Sequence, residues 1–532
     1  MFVLGGLEDQ ITSIVWGLIS SSPFSLDNTA LLQHLPYYVH FEPFIHPLST
    51  NQPILWFFIS IILSIFGTGI YNSLVVLTIL ATLLTSYRYF KKYNWPYAYS
   101  LIFTFSAYTW SHLGRHIAIS QLWLIPVYFI LFEKLEKEVK FKTILISGLF
   151  LAICVLISNY LGFFLLLFSF IHIVCKEFYY LFFKKAYNFK LLKNYFLTFL
   201  FGAIFSVPFL LPFLRATYFS STTVSNVVPI SRGIEDFVTF SVRPWYFVAP
   251  PIKNPFIGVV GSKVVTAAEK TGYFLADDYF AGEHSGLFFG YTFLTLLGCG
   301  SFILLKTGKT ALKRKVYFYY LQVLIVLSFM LPPFFTISGV KVLTPGYLVY
   351  LLFPMFRVTS RMAPIVLFLL LIIFAEIISH LYYKLSKKKL LMSVVFVVAV
   401  TLAEVFVPVK VFNYSNTPEV YTALSELPPE ESYFAVYPYS ESDEAFFWLW
   451  QHKRLLINPR FYSTATFDSE TFTKNLATDQ GLQSLSAYSN AYLVVIKEKT
   501  EVSTLDFFES SNKLKKIKET ATYSIYKTNV SN

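Results

Sequence analysis

The chain has 532 residues, of which 55% are hydrophobic and only 14% charged, with a formal net charge of +12 and a mean hydropathy of +0.56. A soluble domain carries about a quarter charged residues, so this composition excludes an ordinary soluble globular protein and implies an integral membrane protein. The positive excess does not point to nucleic acid, because the basic residues lie in short loops at helix ends rather than on one soluble face.

From the N-terminus, the segment GLEDQITSIVWGL places Glu8 and Asp9 just before a short apolar run. Such carboxylates can act as a general base on an acceptor or hold a divalent cation, or simply cap the following helix as first-turn acids. Met1 to Leu4 has neither a basic n-region nor an h-region. With residues 1–50 expected outside, a first span is expected to be missing, unless a short polar N-terminus crosses unaided. The run Pro53 to Phe66 is too short for a full crossing. It reads as a helix lying at the outer interface, broken by Gly67-Thr68-Gly69, with a short transmembrane hairpin as the alternative.

Ten apolar runs then follow at 69–87, 97–113, 117–132, 143–159, 161–183, 195–214, 286–306, 316–336, 363–383 and 390–409, each near the length needed to cross a bilayer. Between them lie five basic clusters, around Arg88/Lys92, Lys134/Lys142, Lys184/Lys193, Lys306/Lys315 and Lys384/Lys389. Positive charge stays on the cytoplasmic side, and one alternation of about ten spans puts all five there. The long loop 215–285 and the loop 337–362 are then outside, where long loops are commonly functional. Cys154, Cys175 and Cys299 fall inside apolar runs, with no disulfide framework and no CxxC spacing.

Beyond residue 410 the apolar runs stop. The tail 411–532 reads as a small α/β or α+β domain. Thr417-Pro418 opens a helix over PEVYTALSEL, EAFFWLW forms a short amphipathic helix, and strands are expected at YFAVYPY, RLLIN, AYLVVIK and TYSIYKT. The resulting division is a first outer loop with interfacial helices (1–68), a transmembrane region (69–410) and an extracytoplasmic soluble domain (411–532).

The outward ionisable residues contain several candidates besides Glu8 and Asp9. Arg115 and His116 share a tight turn where two cations could grip a phosphate, or face lipid headgroups. Arg357 and Arg361 are spaced four apart, which on a helix would put both guanidinium groups on one face. They would suit a phosphate or diphosphate, or anchor the chain among headgroups. Glu283 and His284 precede a span and could supply a second carboxylate or a metal ligand, or cap the loop. GxxxxGK[ST], GxSxG and HExxH are absent, which removes support for nucleotide hydrolysis and serine-hydrolase chemistry. No span carries the carboxylate series that a proton-coupled transporter needs, though Glu376 and Glu404 lie within spans and are the intramembrane acids to test for transport.

The order of these features resembles the GT-C superfamily of polytopic glycosyltransferases, which use polyprenyl-phosphate-linked sugars on the outer face of a membrane. The resemblance runs through GGLEDQITSIVWGL, HPLSTNQPILWFFISIILSIFGTGIYNSL and SYRYFKKYNWPYAYSLIFTFSAY. It continues through SHLGRHIAISQLWLIPVYFILFEKL, DFVTFSVRPWYFVAPP, GEHSGLFFGYTFL, FRVTSRMAPIVLFLLL and QHKRLLINPRFYS, so nearly the whole chain is covered. These later segments are similar to uncharacterised bacterial membrane proteins of this type. Many enzymes of that pattern carry a span directly before the acid, and the sequence read from Met1 is expected to lack it.

The resemblance implies a polytopic α-helical membrane protein of about ten transmembrane helices, in a bacterial plasma membrane, with the long loops and C-terminal domain outside. It implies an inverting transfer in which Asp9, or Glu8, activates the acceptor while Arg115, His116, Arg357 and Arg361 hold the lipid phosphate. The implied partners are a polyprenyl-phosphate sugar, a lipid, glycan or protein acceptor, and membrane lipids, with no nucleic acid. This reading assigns no cofactor, and a divalent metal is the one candidate. The alternative is a noncatalytic scaffold or assembly factor for cell-envelope glycans, with a transporter third, since a fold does not establish an activity.

Overall fold

The computed structural model describes residues 2–4, 71–113, 117–137, 140–184, 189–214, 233–271, 281–337, 340–381, 387–408, 411–413, 418–427, 433–442, 455–458, 469–488 and 491–529, with the single residues 54, 55, 58, 62, 279 and 445. Glu8, Asp9, Arg115, His116 and most of the expected interfacial helix lie outside the described residues.

The strand β1 (Phe2–Leu4) is followed by the helices α1 (Tyr71–Phe90), α2 (Pro96–Thr104), α3 (Ala107–His112), α4 (Leu124–Lys137), α5 (Phe141–Ile157), α6 (Asn159–Lys184) and α7 (Phe189–Leu214). Next come α8 (Ile234–Phe240), α9 (Gly258–Thr271), α10 (Ala281–His284), α11 (Tyr291–Thr307) and α12 (Thr310–Met330). A hairpin of β2 (Phe334–Ile337) and β3 (Val340–Leu343) leads to α13 (Gly346–Leu352), a 3-10 turn (Thr359–Met362), α14 (Ala363–Leu381) and α15 (Lys387–Val405).

Among the described residues, four helices are long and apolar enough to cross a membrane: Asn72–Phe90, Asn159–Phe182, Phe189–Leu211 and Thr359–Leu381. The helices around 141–157, 258–268, 291–307 and 392–405 are apolar but shorter. Leu77 and Leu84 of α1, Phe196 and Ile204 of α7, and Val395 and Phe396 of α15 are exposed. A soluble protein does not present apolar faces of that extent to water, so these faces belong against lipid.

The Thr359–Leu381 helix is the axis of the assembly: 83% of its most apolar window is buried, against 28% for α1 and α7. An all-round apolar helix is a core helix. Phe368 on α14 is its hub, with the rings of Tyr89, Phe90, Phe103 and Phe129 at 4.9, 5.2, 5.0 and 4.9 Å. Aromatic pairs at such separations add stability beyond the area they bury. α5 and α7 pack backbone to backbone: a side chain at Gly148 would meet the Thr198 carbonyl at 2.8 Å and Phe201 Cβ at 2.7 Å. Small residues at such positions are what lets membrane helices approach closely.

Two of the expected spans are not single helices. The run 97–113 divides into α2 and α3, because Ser106 is extended (φ −65°, ψ 163°) and starts a new helix. The run 117–132 is turn-like before Leu124, and its helix continues to Lys137. Both departures place polar backbone at the end of the bundle where the candidate site lies.

Two side chains tie the last helix to its surroundings. Glu404 of α15 accepts hydrogen bonds from the Thr292 amide at 3.0 Å and the Thr292 hydroxyl at 2.8 Å, capping the start of α11. Gly290 precedes that start at φ 93°, a conformation that favours glycine. Asn254 donates to the carbonyls of Ala403, Glu404 and Phe406 at 2.8 to 2.9 Å, and its carbonyl oxygen accepts from the amides of Phe256 and Ile257. This places Glu404 as a helix cap.

β4 (Val411–Asn413) pairs antiparallel with β1. α16 (Glu419–Glu426), β5 (Tyr433–Tyr437), β6 (Leu455–Leu456), α17 (Ser469–Asn475), α18 (Asp479–Ser486), β7 (Tyr492–Ile496), α19 (Val502–Ser510), β8 (Leu514–Glu519) and β9 (Tyr523–Thr528) complete the chain. Their five-stranded sheet has the order β6-β5-β7-β9-β8, parallel across β6-β5-β7 and antiparallel beyond. Its apolar face packs Ala435, Leu493 and Val495 with Leu482, Leu485 and Phe508 from the helices. The buried Asn458 side chain accepts from the Val436 amide and donates to the Val436 carbonyl and to Thr473 Oγ1, at 3.0, 2.7 and 2.7 Å.

Candidate functional site

Four separate elements meet at the Glu283–Arg361 pair. α10 carries it, α3 brings His112, the 3-10 turn ahead of α14 brings Arg361, and α6 brings Tyr160. The Arg361 guanidinium donates to both carboxylate oxygens, NH2 to Oε1 at 2.5 Å and Nε to Oε2 at 3.2 Å, and it lies 4.7 Å over the Tyr160 ring. Fork-to-fork pairing of this kind fixes both partners in orientation.

His112 closes the other side. Its Nε2 is 3.0 Å from Glu283 Oε2 and its Nδ1 is 2.8 Å from the Tyr108 carbonyl one helical turn earlier, while the ring stacks on Tyr108 at 4.1 Å. Both ring nitrogens thus face acceptors, an arrangement satisfied when both carry hydrogen. The hydroxyls of Ser111 and Ser285 meet at 3.0 Å beside them. Gly286 is needed here, since a Cβ would sit 3.0 Å from Tyr108 Cα and 3.4 Å from the His112 ring.

The three side chains are buried, with Arg361 9%, Glu283 7% and His112 1% exposed. Burial alone would raise the Glu283 pKa, but Arg361 and His112 outweigh it and hold the carboxyl well below its usual range. Glu283 is therefore a fixed anion with occupied oxygens, unsuited to general-base work. The cluster sets a guanidinium and an imidazole around one buried carboxylate. Among the described residues no group of three or more His, Cys, Asp or Glu side chains could hold a metal ion.

The expected partners are brought together unequally. Glu283 and Arg361 meet directly. His284, next in sequence, turns away and stacks on Tyr246 at 4.4 Å; its burial pushes the imidazole pKa down to about 3, with Glu283 opposing and Arg243 reinforcing that shift. Arg357 corrects the expectation of two guanidinium groups on one helical face. It lies in irregular chain before the 3-10 turn, pairs with Asp236 at 2.5 Å and packs 5.0 Å over the Phe240 ring. Phe353 to Val358 leaves the helical path, so the four-residue spacing does not translate into a shared face. Glu8, Asp9, Arg115 and His116 fall outside the described residues.

No family model matches the chain, and a search of curated proteins found no match either. Among solved structures, the chain is similar to the crystal structure of ArnT from Cupriavidus metallidurans bound to undecaprenyl phosphate. The TM-score is 0.41 and the identity 10%, over 99% of this chain and 94% of that one. A superposition that loose does not equate individual residues.

Sequence reasoning passed over His112, choosing Arg115 and His116 from the same stretch. The one available signal was its position four residues after Tyr108 on an apolar run, where a histidine inside a span asks for a polar partner.

Proposed function

We propose that the protein is a membrane glycosyltransferase that moves a sugar from a polyprenyl-phosphate donor to an acceptor on the extracytoplasmic face, with inversion. The observation that carries this reading is the buried Arg361–Glu283–His112 cluster, in which a bidentate arginine and a histidine outnumber the carboxylate between them. Such a cluster draws an anionic phosphate to the end of the bundle. The sequence resemblance to GT-C enzymes supplies the donor class and the base, Asp9 or Glu8, with Arg115, His116 and Arg357 as further phosphate ligands. The sidedness rests on the five basic clusters, which put the opposite end of the bundle in the cytoplasm. About ten crossings fit that alternation.

A scaffold role has one observation in its favour: both oxygens of Glu283 are engaged, as in a cluster that only locks helices together. The deciding experiment measures binding of a panel of polyprenyl-phosphate sugars to the purified protein, followed by release of the sugar. Saturable binding that survives Asp9→Asn while release is abolished, and that is lost in Arg361→Ala with Arg361→Lys intermediate, is the expected result. No binding by the folded wild-type protein would move the assignment to the scaffold.

A further inference from the structure

A second site lies at the other end of the axial helix. Arg361 and Glu376 are fifteen residues apart on one continuous helical path, which at 1.5 Å per residue separates them by about 22 Å. Around Glu376 is a cavity of about 530 Å³, walled by the segment after α1 and by α4, α6, α12 and α14.

Three carboxylates line it, and each is already engaged. Glu133 pairs with Lys92 at 2.6 Å and accepts from the Tyr89 hydroxyl at 2.6 Å. Glu136 takes His172 at 2.6 Å, Lys176 at 2.7 Å and the Tyr195 hydroxyl at 3.1 Å. Glu376 takes Lys315 at 2.6 Å and the Tyr93 hydroxyl at 2.7 Å. These acids are therefore neither open to a metal cation nor poised as bases. Lys137, 3.8 Å from Glu133, and Arg314 stand at the rim, so five lysine and arginine side chains face three carboxylates. A cleft with that imbalance and low-dielectric walls concentrates anions. Its interior is aromatic, formed by Phe129, Phe132, Phe168 and Phe318, which suits the apolar part of a ligand.

We propose that this cavity binds a phosphate group carried on an apolar body, with the phosphate toward the Lys137 and Arg314 rim and the body against the phenylalanines. Two sources share that chemistry, a phospholipid headgroup from the adjoining leaflet and a soluble aromatic phosphate ester. The site is independent of the Glu283 cluster and of the transferase reading.

The test uses the full chain in phosphatidylcholine nanodiscs. Phenyl phosphate is titrated by calorimetry, and native mass spectrometry scores lipid retained from discs holding equal phosphatidic acid and phosphatidylcholine. The double variant Lys137→Gln/Arg314→Gln changes two exposed side chains, so it should fold, and its melting temperature is checked. Saturable phenyl phosphate binding, preferential retention of one phosphatidic acid, or both, reduced at least tenfold in the double variant and unchanged in Arg361→Lys, is the expected result. Phenyl phosphate alone would identify a soluble source and phosphatidic acid alone a lipid source. Absence of both signals from folded wild-type protein, equal signals in the double variant, or loss only in Arg361→Lys would overturn the proposal.

Discussion

Glu283 and Arg361, 78 residues apart in sequence, meet through two hydrogen bonds inside the bundle. Removing one member of a buried ion pair leaves the other charge uncompensated, at a cost of about 3–5 kcal/mol. Arg361→Met and Glu283→Leu should each lower the melting temperature in detergent sharply, and the double replacement should recover much of the loss. A double-mutant cycle on thermal unfolding checks this; additive losses would mean that the two side chains do not stabilise each other.

Acid should loosen this end of the bundle in two stages. His284 is held neutral by burial, with its pKa near 3 instead of 6.5. A depressed folded value means the unfolded chain binds the extra proton first, so stability is complete above about pH 6.5 and declines below it. The slope is at most about 1.4 kcal/mol per pH unit for one proton. Glu283, also depressed, adds a further loss below its ordinary range near 4.5. Melting curves between pH 7.5 and 5 should fall for the wild type and flatten for His284→Gln; equal slopes would remove His284 as the cause.

The contact between α5 and α7 should tolerate no bulk. Gly148→Val would force a side chain against the Thr198 carbonyl and Phe201, and overpacking of this kind typically costs about 1–3 kcal/mol. Gly148→Ala, whose Cβ is the atom that meets both, should cost less, and Phe201→Ala, which keeps the Phe201 Cβ, should not rescue Gly148→Val. Thermal stability of the four proteins checks the ordering.

In the C-terminal sheet, Asn458 does the work of a missing strand residue by satisfying both polar groups of Val436. Asn458→Leu leaves them buried without partners, which costs about 1–3 kcal/mol for each group. Limited proteolysis should then cut within 433–532 while the helical region stays intact.

Much of the fold was legible in the sequence because lipid imposes a single requirement, about twenty apolar residues in a row, and the runs at 69–87, 161–183, 195–214 and 363–383 met it. Strands at 433–437, 492–496 and 523–528 were visible as alternation bounded by turns. β8 was not, since LKKIKE is almost wholly polar and joins the sheet as an edge. The pairing of Arg361 with Glu283 joins sites that share no local pattern, and only the packing of α14 against its neighbours brings them together. Arg357 and Arg361 mark the opposite case, where a helical spacing was present without the helix. His112 went unselected because the charged pair three residues later looked stronger in one dimension.

Glu404 and Asn254 have a mechanical consequence. The first fastens α15 to the start of α11, and the second fastens the chain at 254–257 to the end of α15. Those three pieces form one strut, and any gating movement that admits a bulky amphiphile has to be hinged elsewhere. α3 is not that place: Ala107 packs with Phe288 and Val405, Trp110 lies edge-on to Phe406 at 5.1 Å, and His112 is bonded to Glu283. Spin labels on α3, α11 and α15 should therefore keep their mutual distances, and a changing distance from α3 to α11 would show that this contact opens.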